Sequence, residues 1–332
     1  ILTGNLGKKG AGVNPLRGQN NVQGSCDMGA LPNVIPAGAV NSAYAQEQAR
    51  KVWHFELNPV PGFKLTYAPD KMDSGELKVL YVYGENPVMS DPWTEHFVHA
   101  THHLDCFIVQ DLFFTESAQK ADVVLPAAGW GEKDGTFINT SRRVQRTRKA
   151  SEPVGGVEPD WKVVCNIAKA MGLEGFDFLS AEEVWDELRK LMPKFFGGIS
   201  YYRLEKLGGI SWPCPDEDHL GTPDLYTDHK SMLPDGKFRL APVLYADDKD
   251  KRASMEAEFK AKMHIPDGYP VGSGAMSEVP DEVYPCLFTT GRKVYHYHTG
   301  TMTRECPPLE YGAGIEGPLI EVSPDIARER EL

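Results

Sequence analysis

The sequence predicts an α/β fold built on a parallel β-sheet, and three observations carry that reading. Between residues 77 and 130, short apolar, β-branched runs alternate with helical segments, the pattern of strands covered on both faces. Each run is closed by turn residues, as in Gly84-Glu85-Asn86-Pro87. The chain has 332 residues, 41% hydrophobic and 25% charged, an ordinary globular composition in a length that suits two or three domains.

In order along the chain, Lys78-Val79-Leu80-Tyr81-Val82-Tyr83 reads as the first strand and a helix follows over 91–100. Cys106-Phe107-Ile108-Val109 is a second strand, ending in a loop at Gln110-Asp111. A short helix near 115–120 leads to a third strand over 122–126. In open sheets of this kind ligands sit beyond the carboxyl ends of the strands. That rule marks 84–90, Gln110-Asp111 and 127–131 as ligand-facing. The sheet lacks G-x-G-x-x-G, so it does not read as an ordinary NAD-binding domain. Asp160 opens a helix to about Met171, and its carboxylate either caps that helix or binds a ligand. Ser180-Ala181-Glu182-Glu183 is a capping box for the next helix, whose apolar stripe is Val184, Trp185, Leu188, Leu191 and Met192. Residues 213–270 read as long loops with one charged helix over 252–262, and further strands are expected over 286–290 and 319–322.

Composition excludes several classes. A net charge of −12 argues against non-specific nucleic-acid binding, which requires a basic surface. A single arginine can still bind an anion inside an acidic protein. No apolar run approaches the roughly 18 residues of a membrane span. Six scattered cysteines without a C-x-x-C pair are neither a disulfide framework nor a metal cradle. Most are expected to be buried, reduced thiols, which points to the cytoplasm.

Two segments hold the residues with chemical potential. Residues 1–35 are rich in Gly and Asn and read as an ordered, closely packed loop or as a surface loop of Asn-driven turns. Arg17 lies in it, and a guanidinium fork fits a small carboxylate or a phosphate. The segment TTGRKVYHYHTGTMTR carries Arg292, His296 and His298. In extended structure His296 and His298 share a face, giving a metal half-site, a pair of donors for an anion, or a polar strand edge.

The string GVNPLRGQNNVQGSCDMGALP (12–32) closely resembles molybdopterin-dependent formate dehydrogenases of the dimethyl-sulfoxide reductase superfamily. VYGENPVMSD (82–91), FIVQDLFFTESAQKADVVLPAAGWGEKDGTFIN (107–139), RRVQR (142–146) and TTGRKVYHYHTGTMTR (289–304) agree with that family in order and spacing. The resemblance implies a multi-domain α/β protein holding two molybdopterin guanine dinucleotides around Mo or W. A cysteine or selenocysteine ligand and a nearby 4Fe-4S cluster complete the implied centre. It divides the chain into the end of a preceding α/β domain (1–19) and a Rossmann-like cofactor-binding domain (20–129). A helical and loop region of the cluster-proximal domain (130–255) and the beginning of a C-terminal β-barrel (256–332) follow. By the same resemblance Arg17 orients formate, with Gln19 beside it. Asn86, Ser90, Gln110 and Asp111 hold a guanine nucleotide, and Asp111 accepts from its N–H groups. Asp160 falls on a cofactor position, and Arg292, His296 and His298 contact a pterin or its phosphates. Asn86 stands where some members carry Asp, and Ala127 where some carry Ser.

No metal ligand is implied within the chain: the cluster cysteines and the Cys or selenocysteine ligand are expected upstream of Gly12. The barrel is expected to be cut short, so the chain is expected to be the middle of a larger catalytic subunit, inactive alone. The implied reaction is the reversible two-electron oxidation of formate to CO2. Its implied partner is an iron–sulfur electron-transfer subunit or the rest of the same polypeptide. Other molybdopterin oxidoreductases (nitrate or sulfoxide reductases, or a quinone-reductase large subunit) and a scaffold subunit that lost the metal are the alternative readings.

Overall fold

The computed structural model describes residues 1–233, 235–240, 243–245, 249–262, 272–274, 281–287, 289, 291, 294–296, 298–312 and 320–330. The chain forms two compact units, one of residues 1–13 and 224–292, the other of 14–223 and 293–332.

The larger unit opens with α1 (Val22–Asp27) and an antiparallel pair, β1 (Val34–Ile35) and β2 (Gly38–Ala39). Next comes α2 (Ala43–Trp53), where Ser42 Oγ accepts from Ala45 N at 3.1 Å as an N-cap. After α3 (Ala68–Asp73) comes β3 (Val79–Tyr83), then α4 (Pro87–Ser90), α5 (Thr94–Thr101), β4 (Cys106–Asp111) and β5 (Val123–Pro126). The three strands form a parallel sheet in the order β3-β4-β5, paired from Val79–Cys106 to Tyr83–Gln110 and from Ile108–Val123 to Asp111–Pro126. This is the expected parallel sheet, with three local differences.

Gln110 and Asp111 are the last residues of β4 rather than a loop. Their carbonyls accept from Gly84 N at 2.9 Å and Ala127 N at 3.0 Å, so the ladder continues to the strand end. The helix expected over 91–100 is α5, which begins only at Thr94, because Asp91 precedes Pro92 and takes an extended conformation (φ −68°, ψ 134°) that ends the separate turn α4. The helix expected near 115–120 is a single 3-10 turn, Ala118–Lys120. One sheet face packs Val82, Phe107 and Val109 with Leu80, beside Ala68, Met72, Phe97 and Ala100 of the helices. On the other face Val79, Tyr81, Tyr83 and Val123 are exposed, so the expected covering of both faces is not seen among the described residues.

Beyond the sheet, β6 (Gly135–Ile138), β7 (Arg143–Thr147) and β8 (Ile210–Ser211) pair antiparallel in that order. Around them lie α6 (Asp160–Ala170), α7 (Ala181–Leu191), α8 (Pro193–Phe196) and α9 (Tyr201–Leu207). Trp185, Leu188, Phe196, Ile199, Leu204 and Ile210 form a buried core with Ile138 and Val144. The Trp185 indole N–H, buried there, donates to Ile199 O at 2.6 Å. Ser180 Oγ accepts from Glu183 N at 3.2 Å as the capping box requires, but Glu183 Oε2 accepts from Leu179 N instead of closing on Ser180.

The smaller unit contains β9 (Val243–Tyr245), the charged helix α10 (Lys249–Lys262) and β10 (Gly272–Gly274), with β9 and β10 parallel. α11 (Pro307–Gly312) and α12 (Pro324–Glu329) belong to the larger unit. No closed barrel is seen among the described residues, and those within 286–290 and 319–322 are not in strands. All six cysteines are free, but only Cys165 and Cys214 are buried, fewer than expected, and Cys286 is exposed. Among the described residues no helix is long and apolar enough to cross a membrane.

Candidate functional site

The carboxyl ends of β3 and β4 gather polar side chains that are almost fully buried: Asn86, Gln110, Asp111, Ser117 and Asp160. Burial of this kind is tolerated only where hydrogen bonds replace water. Gln110 is clamped from both sides. Its Oε1 accepts from the Tyr81 hydroxyl, and its Nε2 donates to Asp160 Oδ1 at 2.9 Å. The other carboxylate oxygen of Asp160 is paired with Lys133 Nζ, which also donates to Ala128 O at 3.0 Å. Burial pulls the Lys133 ammonium below its ordinary value, and the charge of Glu132 opposes that pull. Asp160 makes no cap hydrogen bond; the N-cap of α6 is Pro159, and the carboxylate is directed to Gln110 and Lys133 instead.

Asn86 ties the loop after β3 to the loop after β4. Its Oδ1 accepts from Ser117 N (3.1 Å) and Ser117 Oγ (2.7 Å), and its Nδ2 donates to Glu116 Oε2 at 2.7 Å. That bond is the main reason the Glu116 carboxyl lies below its ordinary value, and the charge of Arg304 adds to it. Asp111 Oδ1 accepts from Leu112 N at 2.6 Å, while burial raises its carboxyl above the usual range. Among the described residues Asp111 Oδ2 accepts no hydrogen bond, leaving an acceptor at the strand end for a ligand with N–H donors. Ser90 is half-buried at the end of α4.

Arg17 and Gln19 lie elsewhere in the same unit, both exposed, on a cleft of about 250 Å³ with Asn21, Gln23, Phe137 and Asn139. Arg17 is held by a relay: its Nη2 donates to Gln23 Oε1 at 2.9 Å, and Gln23 Nε2 donates to Asp27 Oδ1 at 2.8 Å. Trp212 Nε1 donates to Asp27 Oδ2 at 2.8 Å. Burial pushes the Asp27 carboxyl up to about 6, against those two hydrogen bonds and the charges of Arg17 and Arg142. A guanidinium fixed at one edge and open at the other can orient a small carboxylate.

His296 and His298 do not share a strand face. Neither is in a strand, and His298 sits in a turn at φ 51°. His296 Nδ1 lies 2.9 Å from Thr303 Oγ1, and its Nε2 is 3.3 Å from Glu310 Oε2. His298 lies so close to Gly18 that a Cβ there would lie 2.2 Å from its Nε2, against the backbone that carries Arg17 and Gln19. Arg292 lies outside the described residues. A larger cleft of about 570 Å³ is lined by Lys133, Arg146, Lys149 and Lys162 and by none of the residues expected from sequence. Sequence reasoning missed Tyr81, Lys133, Ser117 and Asp27. Only the Gln23–Asp27 contact has a local signal, the i, i+4 spacing on a helix; the others meet across loops.

A family model described as molybdopterin oxidoreductase matches residues 1–170. The chain belongs to the molybdopterin oxidoreductase family. Within this family it is 44% identical over 336 residues to the F420-dependent formate dehydrogenase subunit alpha of Methanocaldococcus jannaschii, covering 100% of this chain and 44% of the relative. It is 43% identical to the F420-dependent formate dehydrogenase 1 subunit alpha of Methanococcus maripaludis, over 99% of this chain and 44% of that one. With formate dehydrogenase H of Escherichia coli identity is 36%, over 93% of this chain and 39% of the relative. This molybdopterin oxidoreductase chain therefore spans less than half the length of these relatives.

Proposed function

We propose that the chain is part of a formate dehydrogenase catalytic subunit that interconverts formate and CO2. The observation that carries this reading is the 44% identity maintained along the whole chain to a formate dehydrogenase alpha subunit. The site chemistry fits a guanine nucleotide at the strand ends. Asp111 Oδ2 has acceptor capacity to receive paired N–H donors, and Gln110 is held rigid by Tyr81 and Asp160 behind it. In this reading Asn86, Ser90, Gln110, Asp111 and Asp160 hold one dinucleotide half of a molybdopterin guanine dinucleotide pair, and Arg292, His296 and His298 serve the second. The bound group, carrying Mo or W with a cysteine or selenocysteine ligand and a 4Fe-4S cluster nearby, supplies two-electron chemistry.

This chain's own contribution to the reaction is positional. Arg17 binds the formate carboxylate through the edge of its guanidinium that Gln23 does not hold. The Gln23–Asp27 relay holds that guanidinium in one orientation, which lowers the ordering cost of the reactive complex. Gln19 lines the same cleft and limits how the carboxylate can turn. The proposed setting is cytoplasmic, with electrons leaving through an iron–sulfur partner or the rest of the polypeptide. F420, in the names of two relatives, is the proposed final acceptor.

The test is formate-dependent viologen reduction by the intact polypeptide, wild type against Arg17→Ala, with metal content measured on both. Activity in the wild type and a fall of about 100-fold or more in kcat/KM with metal retained supports the assignment. A protein that binds metal, ignores formate and reduces nitrate or a sulfoxide overturns the substrate while leaving the family intact.

A further inference from the structure

On the helical side of the sheet, a histidine cluster lies outside everything the proposed reaction uses. His96 and His99 share a face of α5 by the i, i+3 spacing, and His103 follows in the turn just past its end. α3 ends beside them at Asp73. Asp73 Oδ2 lies 2.7 Å from His96 Nε2, and Oδ1 lies 3.0 Å from His103 Nδ1. The His99 ring meets the His103 ring edge-on, centroids 5.5 Å apart. One ligand atom from each of Asp73, His99 and His103 lies within 4.8 Å of the other two.

We propose that Asp73, His99 and His103 form a surface binding site for a borderline divalent cation, Zn2+ above all, with His96 orienting Asp73 from behind. Two imidazoles and one carboxylate are a donor set that zinc takes, with water completing a tetrahedron. Tetrahedral ligands about 2.0–2.2 Å from the ion stand roughly 3.4 Å from one another, so the three groups need only side-chain rotation to close. All three are exposed and free to make it. The backbones beneath them are not free to drift, because Ala68 and Met72 of α3 pack against Phe97 and Ala100 of α5 in one buried cluster.

The local field points the same way. Asp73 is the last residue of α3, and His99 and His103 lie in and just past the last turn of α5. Helix carboxyl ends carry partial negative charge, which disfavours a bare carboxylate and favours a cation. On binding, the ion takes the place of the proton between Asp73 Oδ1 and His103 Nδ1, and the neutral ring then carries its one proton on Nε2. Asp73 Oδ2 keeps its bond to His96, an outer partner of the kind that fixes a ligand's orientation.

The competing account is that the histidines only pair with Asp73 to brace α3 against α5. His99 separates the two: among the described residues it touches the His103 ring but makes no hydrogen bond to Asp73. The experiment is equilibrium dialysis of the intact protein against Zn2+ alone, with bound zinc counted by elemental analysis. Wild type is compared with His99→Ala, His96→Ala and a control, His102→Ala, whose side chain is exposed and outside the cluster. One zinc fewer in His99→Ala, a loss of about 10–100-fold in affinity in His96→Ala and no change in His102→Ala support the site. A second readout is the rise in Tm with added Zn2+, present in wild type and absent in His99→Ala. Equal zinc in wild type and His99→Ala, or equal loss in His99→Ala and His102→Ala, overturns it. Neither readout uses formate turnover, so this site and the formate assignment fail independently.

Discussion

Burial raises the Asp27 carboxyl from 3.8 to about 6, although Gln23 and Trp212 both donate to it. Between those values the folded chain keeps a proton that the unfolded chain has released. This group's contribution to stability is therefore full below 3.8 and is lost as pH rises through about 6. Asn at position 27 removes that dependence, but its Nδ2, itself a donor, then faces one of the two N–H groups that now reach separate carboxylate oxygens, and that bond is lost. Thermal unfolding of Asp27→Asn and wild type from about pH 4 to about pH 7 should show the gap between them narrowing as pH rises; parallel curves would count against the shift. Lys133 is the second residue whose removal is informative. Lys133→Met leaves Asp160 a nearly buried carboxylate with only Gln110 for company, and urea unfolding should show a loss of about 3 kcal/mol. Adding Asp160→Asn should recover most of it; if the double variant loses as much again, the pair is not the cause. Of these residues the sequence pointed to Asp160 and Gln110, and not to Asp27 or Lys133. Lys133 lies 27 positions away along the chain, and only the folding of the loop after β5 brings it near.

At the scale of elements, amphipathic helices were readable because their signal is local. Asp160–Ala170 and Ala181–Leu191 lie where the 3.6-residue period put them, with Trp185, Leu188 and Leu191 inward. β4 runs two residues further than its apolar pattern because Gln110 and Asp111 find ladder partners on neighbouring strands, which no local window reports. The segment around His298 fails for the same reason. Alternation suggested a strand, while contact with Gly18 holds a turn with His298 in left-handed backbone. Gly18→Ala tests that contact directly. Its methyl would overlap the His298 ring, so the ring or the Arg17–Gln19 loop must shift. In formate turnover by the intact polypeptide, kcat/KM should fall between roughly 10- and 100-fold with the far-UV spectrum unchanged. Wild-type kinetics in this variant would remove His298 from the neighbourhood of the proposed substrate clamp.

For the molecule as a whole, the uncovered sheet face has consequences for how the 332-residue chain behaves alone. Val79, Tyr81, Tyr83 and Val123 present apolar surface where a parallel sheet is ordinarily covered. The isolated chain should bind a hydrophobic dye such as ANS, and Val79→Thr with Val123→Thr should lower that binding while leaving unfolding cooperative. Dye binding that ignores the double substitution would place the sticky surface elsewhere. The sequence by itself determined the α/β class, the three strands of a parallel sheet, the two amphipathic helices and the family. Those features rest on periodicity, on turn chemistry and on contiguous motifs, all written within a few residues of one another. Only the tertiary structure decided that Gln110 is clamped between Tyr81 and Asp160, and that Arg17 is held through Gln23 to a raised Asp27. It alone set His298 against Gly18 and drew Asp73 to the histidines of α5. Those arrangements join residues far apart in the chain, and the energies that fix them, burial of polar groups and the pairing that offsets it, exist only once the chain has closed around them.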